Sequence, residues 1–133
     1  MVILLDQFHL PENIYMIIFS TEQQAQVARM LVDEIKEKGG ELGKTEMSMF
    51  ATMLHDGTKI NITTRDMFNR VTVKQESISY NKRQFYDRIL TPMKGMGLID
   101  YDMYKKKYLL TDRFNKIMTK IAIMWSKELE RRR

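Results

Sequence analysis

The side chains best suited to chemistry in this chain are the cations between Asn81 and Thr111. That segment reads NKRQFYDRILTPMKGMGLIDYDMYKKKYLLT, a basic amphipathic stretch followed by an alternating stretch with three consecutive lysines. Ammonium and guanidinium groups bind phosphate oxygens and donate hydrogen bonds to guanine edges. An α-helix fits the DNA major groove, and a basic turn can lie on the neighbouring backbone. The segment therefore predicts contact with a polyanion.

The charge of the chain is divided unevenly along its length. Residues 1–78 carry 8 Lys and Arg against 11 Asp and Glu, a net charge of −3. Residues 79–133 carry 14 Lys and Arg against 6 Asp and Glu, a net charge of +8. This asymmetry indicates a C-terminal half that faces a polyanion, although a solvated charged face with a basic tail has the same composition.

Other features of the sequence argue against an enzyme and against a membrane protein. The chain has no Cys, and its two His residues lack metal-ligand spacing. The acidic residues form no convincing catalytic pair, and phosphate-binding loops and hydrolase motifs are absent. No run of about 18 apolar residues occurs, and the N-terminus does not resemble a signal peptide. We therefore expect no catalysis, no metal, no cofactor and no membrane partner, and a cytoplasmic location.

The first half of the chain is predicted to contain two helices after a mixed or extended segment at residues 1–19. The first helix runs over residues 21–38 and ends at a pair of glycines. The second begins at Thr45 and ends at Gly57. Apolar residues recur along both at helical spacing, namely Val27, Ala28, Leu31, Val32 and Ile35, then Met47, Phe50, Met53 and Leu54.

The middle of the chain is predicted as a short strand, a third helix and a connector. Residues 59–63 alternate in polarity like a β-strand. Residues 65–71 follow a threonine cap and are predicted as a helix that buries Met67, Phe68 and Val71. Residues 73–80 then connect this helix to the basic segment.

The C-terminal half is predicted as a helix, a hairpin and a long last helix. The first of these is capped within residues 79–81 and runs to about Met96, with a kink or an early end at Pro92. The hairpin covers residues 98–110 and carries the three lysines in its turn. The last helix follows a threonine or aspartate cap and continues to about Arg131.

Two short sequences carry a family resemblance, namely MKGMGLI at residues 93–99 and YLLT at residues 108–111. In this order they resemble the end of the recognition helix and the returning wing strand of winged helix-turn-helix regulators, of a prokaryotic, archaeal or archaeal-virus type. The resemblance covers residues 45–112. It implies a mainly α fold with a small β wing, a long C-terminal helix and an N-terminal extension. We expect residues 1–40 to form that extension, with one helix, and residues 41–133 the winged domain, together as one compact unit.

The resemblance also implies a DNA-binding site. In the family, the front of the recognition helix reads base edges and the wing lies on phosphates. The positions that take these roles here are Lys82, Arg83, Gln84, Asp87, Arg88 and Thr91 in the helix, Lys105, Lys106 and Lys107 in the wing, and Arg65 as a backbone contact. A solvated helix face with an Arg83–Asp87 ion pair is the alternative interpretation of the helical residues.

The last helix is predicted to form a dimer interface through Phe114, Ile117, Met118, Ile121 and Trp125. In many such regulators a terminal helix pairs across a two-fold axis, so that the dimer reads two half-sites. Packing on its own domain is the alternative. The resemblance thus implies a homodimeric transcriptional regulator, more a repressor than an activator, that binds specific double-stranded DNA sequences. Other hypotheses are a protein-interaction module of a transcription, replication or DNA-partition complex, and a single-strand binder that stacks bases on Tyr101 and Tyr104.

Overall fold

Helices and two small antiparallel sheets make up the fold of the described residues. The computed structural model describes residues 5–65 and 67–132, and only the backbone of Ile62 and Thr64. The elements in chain order are α1 (Ile14–Ile18), α2 (Glu22–Glu37), β1 (Glu41–Gly43), α3 (Lys44–Asp56), β2 (Thr58–Arg65), β3 (Val71–Ile78), α4 (Lys82–Phe85), a π-helical turn (Tyr86–Leu90), α5 (Thr91–Gly95), β4 (Ile99–Asp102), β5 (Lys107–Leu110) and α6 (Arg113–Glu130).

The helix predicted over residues 21–38 is confirmed as α2. Thr21 Oγ1 accepts a hydrogen bond from the Gln24 backbone N–H at 3.1 Å, which caps the first turn. Gly39 and Gly40 adopt φ angles of +81° and +94°, the left-handed conformation that ends a helix. All five predicted apolar residues of this helix are buried.

A single hydrophobic cluster joins α2 to α3, to the helix after Asn81 and to the sheet strands. Its largest fully buried side chains include Phe85, Leu31, Ile35, Leu42 and Met47. The Phe85 ring lies 5.6 Å from the Phe50 ring between centroids, which ties the helix after Asn81 to α3. The helix of the expected N-terminal extension therefore shares its core with elements beyond residue 41.

The helix after Asn81 continues past Pro92 by means of a π-helical turn, so the early end does not occur. Asn81 Oδ1 caps the helix by accepting from the Gln84 backbone N–H at 3.1 Å. Pro92 has no N–H to donate into the helix. The preceding turn is widened, and the Thr91 N–H donates to the Tyr86 carbonyl, five residues back. We call residues 82–95, from α4 through α5, the composite helix.

The hairpin predicted over residues 98–110 is confirmed as β4 and β5, with Tyr101 opposite Tyr108. The short strand β1 joins it, so that the strand order is β1–β5–β4. The sequence did not predict β1, because three residues are too few for a recognisable alternation.

The helix predicted over residues 65–71 is wrong. Strands β2 and β3 pair in antiparallel register from Thr58 opposite Ile78 to Arg65 opposite Val71. Met67 and Phe68 lie at the hairpin tip with 92% and 74% of their surfaces exposed. β-branched residues recur along both strands, and long-range pairing outweighs the helical spacing of a few apolar residues, since a short helix is only marginally stable. The predicted connector is mostly β3, and Asp66 lies outside the described residues.

The N-terminal segment contains the short helix α1, capped by Asn13 Oδ1, which accepts from the Tyr15 N–H at 2.8 Å. The apolar residues 2–4 of the predicted extended segment lie outside the described residues. Across the part of the chain that the structure describes, every helix is too short or too polar to cross a membrane.

Candidate nucleic-acid interface

The composite helix turns a polar side to solvent and an apolar side to the core. Phe85, Ile89, Leu90 and Met93 are buried. Five of the predicted DNA-binding residues are exposed on the other side, namely Arg83, Gln84, Asp87, Arg88 and Thr91. We call this set the basic face.

Arg83 and Asp87 form a weak ion pair within the basic face. Arg83 Nε lies 3.8 Å from Asp87 Oδ2, and the two side chains are 91% and 68% exposed. Exposed pairs of this kind contribute little and are screened by salt. The Arg83 guanidinium can therefore exchange this carboxylate for a phosphate or a guanine edge at small cost.

Lys82 does not lie on the exposed side of the composite helix, where the sequence predicted it. It is half-buried, and its Nζ donates to Ser48 Oγ at 3.1 Å and to Thr52 Oγ1 at 3.0 Å. Both acceptors belong to α3. Two charge-assisted hydrogen bonds hold the ammonium against α3. Lys82 therefore fixes the composite helix to α3, and its ammonium does not point to solvent as a DNA contact would.

The beginning of the composite helix is fixed to the end of α3. The Lys82 backbone N–H donates to His55 Nδ1 at 3.1 Å, and the Ser79 hydroxyl donates to the His55 carbonyl at 3.3 Å. The Tyr80 N–H donates to the Leu54 carbonyl at 2.8 Å. These bonds satisfy groups at two helix ends and set the angle between α3 and the basic face.

Lys105 and Lys106 lie in the turn between β4 and β5, and Lys107 is the first residue of β5. Asp102 Oδ1 accepts from the backbone N–H groups of Tyr104 and Lys105, at 2.9 and 3.1 Å. Lys105 Nζ and Lys107 Nζ lie 3.7 and 3.5 Å from the Glu41 carboxylate on β1. Glu41 thus offsets part of the positive charge of the turn.

Lys94 joins the composite helix to the β4–β5 sheet, although the sequence analysis did not single it out. Its Nζ lies 6.0 Å from the centroid of the Tyr108 ring, which in turn lies 4.7 Å from the Tyr101 ring. Burial, with smaller effects of Tyr86 and Tyr101, raises the pKa of Tyr108, so its hydroxyl stays neutral at physiological pH. The helical spacing of residues 83, 87, 91 and 94 would have found Lys94.

Arg65 lies at the end of β2, on a hairpin separate from the β4–β5 turn. Its Nη1 approaches Asn69 Oδ1 at 3.5 Å. Seven steps of about 3.3 Å separate Thr58 from Arg65, so Arg65 lies about 23 Å along the strand from the base of the hairpin. Arg65 therefore lies near the tip of the β2–β3 hairpin, in a different sheet from the β4–β5 turn.

The last helix, α6, begins as predicted after Thr111, whose Oγ1 accepts from the Arg113 N–H at 3.3 Å. Of the predicted interface residues, Phe114 and Met118 are half-buried. Ile117, Ile121 and Trp125 are 45%, 39% and 64% exposed. This apolar side of α6 is thus partly covered at Phe114 and Met118 and exposed at the other three residues.

Within the described residues, His, Asp and Glu form no group of three or more that could hold a metal ion. Comparison of the chain with protein-family models, with curated proteins and with solved structures finds no match.

Proposed function

We propose that this protein is a homodimeric winged helix-turn-helix transcriptional regulator that binds specific sequences of double-stranded DNA. The observation that carries the proposal is the basic face, exposed on a helix whose other side is buried in the core, in a chain that also presents three lysines at the β4–β5 hairpin. By blocking polymerase at an operator, such a dimer would act as a repressor.

The order and pairing of the elements support the winged-helix part of the proposal. On this view α2, α3 and the composite helix are its three helices, β1 is its first strand, and β4 and β5 form its wing. The proposed winged-helix domain then includes α2 in addition to residues 45–112. The β2–β3 hairpin occupies the position of the turn of three or four residues that usually joins the last two helices.

The positions of the cations support a division of labour. In the proposed complex the composite helix enters the major groove, where Arg83 and Arg88 donate to guanine O6 and N7 and Gln84 pairs with adenine. Asp87 orients Arg83. The lysines of the β4–β5 turn bind flanking phosphates, which positions the protein without reading sequence.

Selection of duplex fragments from a random pool, at about 50 and 200 mM salt, tests the proposal. Recovery of a short inverted repeat at both salt concentrations is expected for a dimer that reads two half-sites. Broad recovery that disappears at the higher concentration would mean non-specific binding. Preference for single strands in competition would favour the stacking hypothesis.

Replacing Lys105, Lys106 and Lys107 with Ala should weaken binding to every duplex and reduce the salt dependence of the affinity. The slope of log K against log salt should fall by about 1 to 3, because each lost phosphate contact contributes about 0.9. Glu41 already offsets part of two of these charges, so the lower end of this range is within expectation.

A control with the same loss of charge is the replacement of Arg29, Lys36 and Lys59 with Ala. These residues are exposed on α2 and β2, outside the basic face and the β4–β5 turn. Titration of a labelled duplex over a series of salt concentrations measures both slopes. Equal slopes for the two triple variants would remove the β4–β5 turn from the DNA contact.

The second candidate is a protein-interaction module, favoured by the exposed apolar tip of the β2–β3 hairpin. Met67 and Phe68 are exposed at this tip, between Arg65 and Arg70 in the sequence. The Arg70 guanidinium lies 5.8 Å from the Phe68 ring centroid. Aromatic, methionine and arginine side chains are enriched at protein interfaces. Absence of any recovered duplex at either salt concentration would favour this function.

A further inference from the structure

The apolar side of α6 is a continuous stripe centred on Ile121. Every residue of α6 is described and none is buried. Ile117 and Met124 lie to one side of Ile121, and Met118 and Trp125 to the other, at the spacing of three and four residues that forms one helix face. Exposed apolar patches of this kind mark surfaces that bind another apolar surface.

The first turn of α6 is fixed to the body of the protein. The Phe114 N–H donates to the Gly97 carbonyl at 3.0 Å, and the Arg113 guanidinium lies 3.3 Å from the Asp100 carboxylate. A Cβ atom on Gly97, whose φ is +82°, would lie 2.9 Å from the Arg113 Cβ atom. The end of the composite helix and the start of β4 therefore lie directly beside the first turn of α6.

This attachment disfavours a parallel pair of α6 helices. The axes of packed helices lie about 8–10 Å apart. In a parallel pair, the two first turns of α6 lie side by side. The segment around Gly97 that is attached to each first turn would then have to fit within the same spacing of about 8–10 Å. In an antiparallel pair centred on Ile121, each Arg113 lies eight residues from the centre. The two corners are then about 24 Å apart along the axis, at about 1.5 Å per residue.

The charges of α6 favour the same orientation. Its first half, residues 113–121, carries Arg113, Lys116 and Lys120 and no acidic residue, a net charge of +3. Its second half, residues 122–130, carries one lysine and two glutamates, a net charge of −1, and three arginines follow at residues 131–133. Antiparallel pairing places Glu128 and Glu130 of one copy beside the first turn of the other, which begins with Arg113, whereas parallel pairing places the two +3 halves side by side.

The geometry points to an antiparallel pair of α6 helices from two copies of this chain, with Ile121 on the two-fold axis. This inference rests on the dimer of the proposed function and specifies how that dimer forms. Ile117 of one copy meets Trp125 of the other. The two composite helices lie at opposite ends of the helix pair, an arrangement suited to two separate half-sites.

Cysteine cross-linking tests the orientation without background, because the chain has no Cys. A disulfide requires Cα atoms within about 7 Å. Mixing Ile117→Cys protein with Trp125→Cys protein should give a heterodimeric cross-link. Neither variant should cross-link to itself, since like positions lie about 12 Å apart along the axis. Ile121→Cys should cross-link to itself.

Self-linkage of the Ile117→Cys protein would mean a parallel pair and would overturn the inference. Absence of the Ile121→Cys cross-link would remove the stripe from the interface and overturn it as well. Ile123→Cys is the matched control, because Ile123 is 48% exposed on the opposite side of α6 and should stay uncross-linked.

The cross-links are formed without DNA, so they separate this inference from the proposed function. The same preparations are then titrated with a duplex of about four helical turns, roughly 40 base pairs. Cross-linked protein that does not bind duplex upholds the antiparallel pair and contradicts DNA binding. Protein that binds duplex but lacks the Ile121→Cys cross-link contradicts only the helix pair.

Discussion

Replacement of Arg83 and Arg88 together with Ala should weaken binding to the selected duplex by about 2–6 kcal/mol. Each guanidinium that pairs with a base or fixes the helix contributes about 1–3 kcal/mol, and the sum assumes that the two contributions add. Both side chains are exposed on the composite helix, so their loss leaves the core intact. Titration of the selected duplex at fixed salt measures the effect.

A sequence-scrambled duplex separates base recognition from phosphate contact in the same experiment. If the arginines read bases, the double variant should lose most of its preference for the selected duplex over the scrambled one. Arg29→Ala together with Lys36→Ala is the charge-matched control on α2. An affinity of the double variant equal to that of this control would exclude the basic face as the DNA contact.

Replacement of Phe85 with Ala should lower the free energy of unfolding by about 3–5 kcal/mol, the usual cost of removing a buried phenyl ring. Phe85 has no exposed surface and contacts the rings of Phe50 and Tyr86. Since small domains are stable by about 5–15 kcal/mol, the variant should be partly unfolded near physiological temperature. Urea denaturation followed by circular dichroism measures this loss.

The matched control is Phe68→Ala at the tip of the β2–β3 hairpin. Its ring is 74% exposed, so the same substitution should change the free energy of unfolding by less than about 1 kcal/mol. A Phe85→Ala protein as stable as the Phe68→Ala protein would contradict the central place of the composite helix in the core.

Local chemistry made several helix ends predictable from the sequence. Thr21 and Asn81 cap helices through their own side chains, and glycines end α2 and the composite helix by adopting positive φ. These effects act within four or five residues. They therefore depend little on the rest of the chain. The predictions of α2, the β4–β5 hairpin and α6 were confirmed.

The β2–β3 hairpin was not predictable by the same reasoning. The spacing of Met67, Phe68 and Val71 suits a helix, and their neighbours suit a strand. Which structure forms depends on pairing between residues 58–65 and 71–78, and on Ile78 being buried in the core. A contact between distant residues decided this element, and local propensity could not.

For the candidate site, the sequence alone determined which residues carry charge and, through the 3.6-residue period, that Arg83, Asp87 and Thr91 share an exposed side. Only the tertiary structure decided that Lys82 turns to the hydroxyls of α3, that Glu41 faces two lysines of the β4–β5 turn, and that Lys94 lies over Tyr108. The physical reason is that helical periodicity determines only the direction in which each side chain leaves its own helix axis. The partner of a long side chain depends on how separate elements pack, and that packing is set by the shared core.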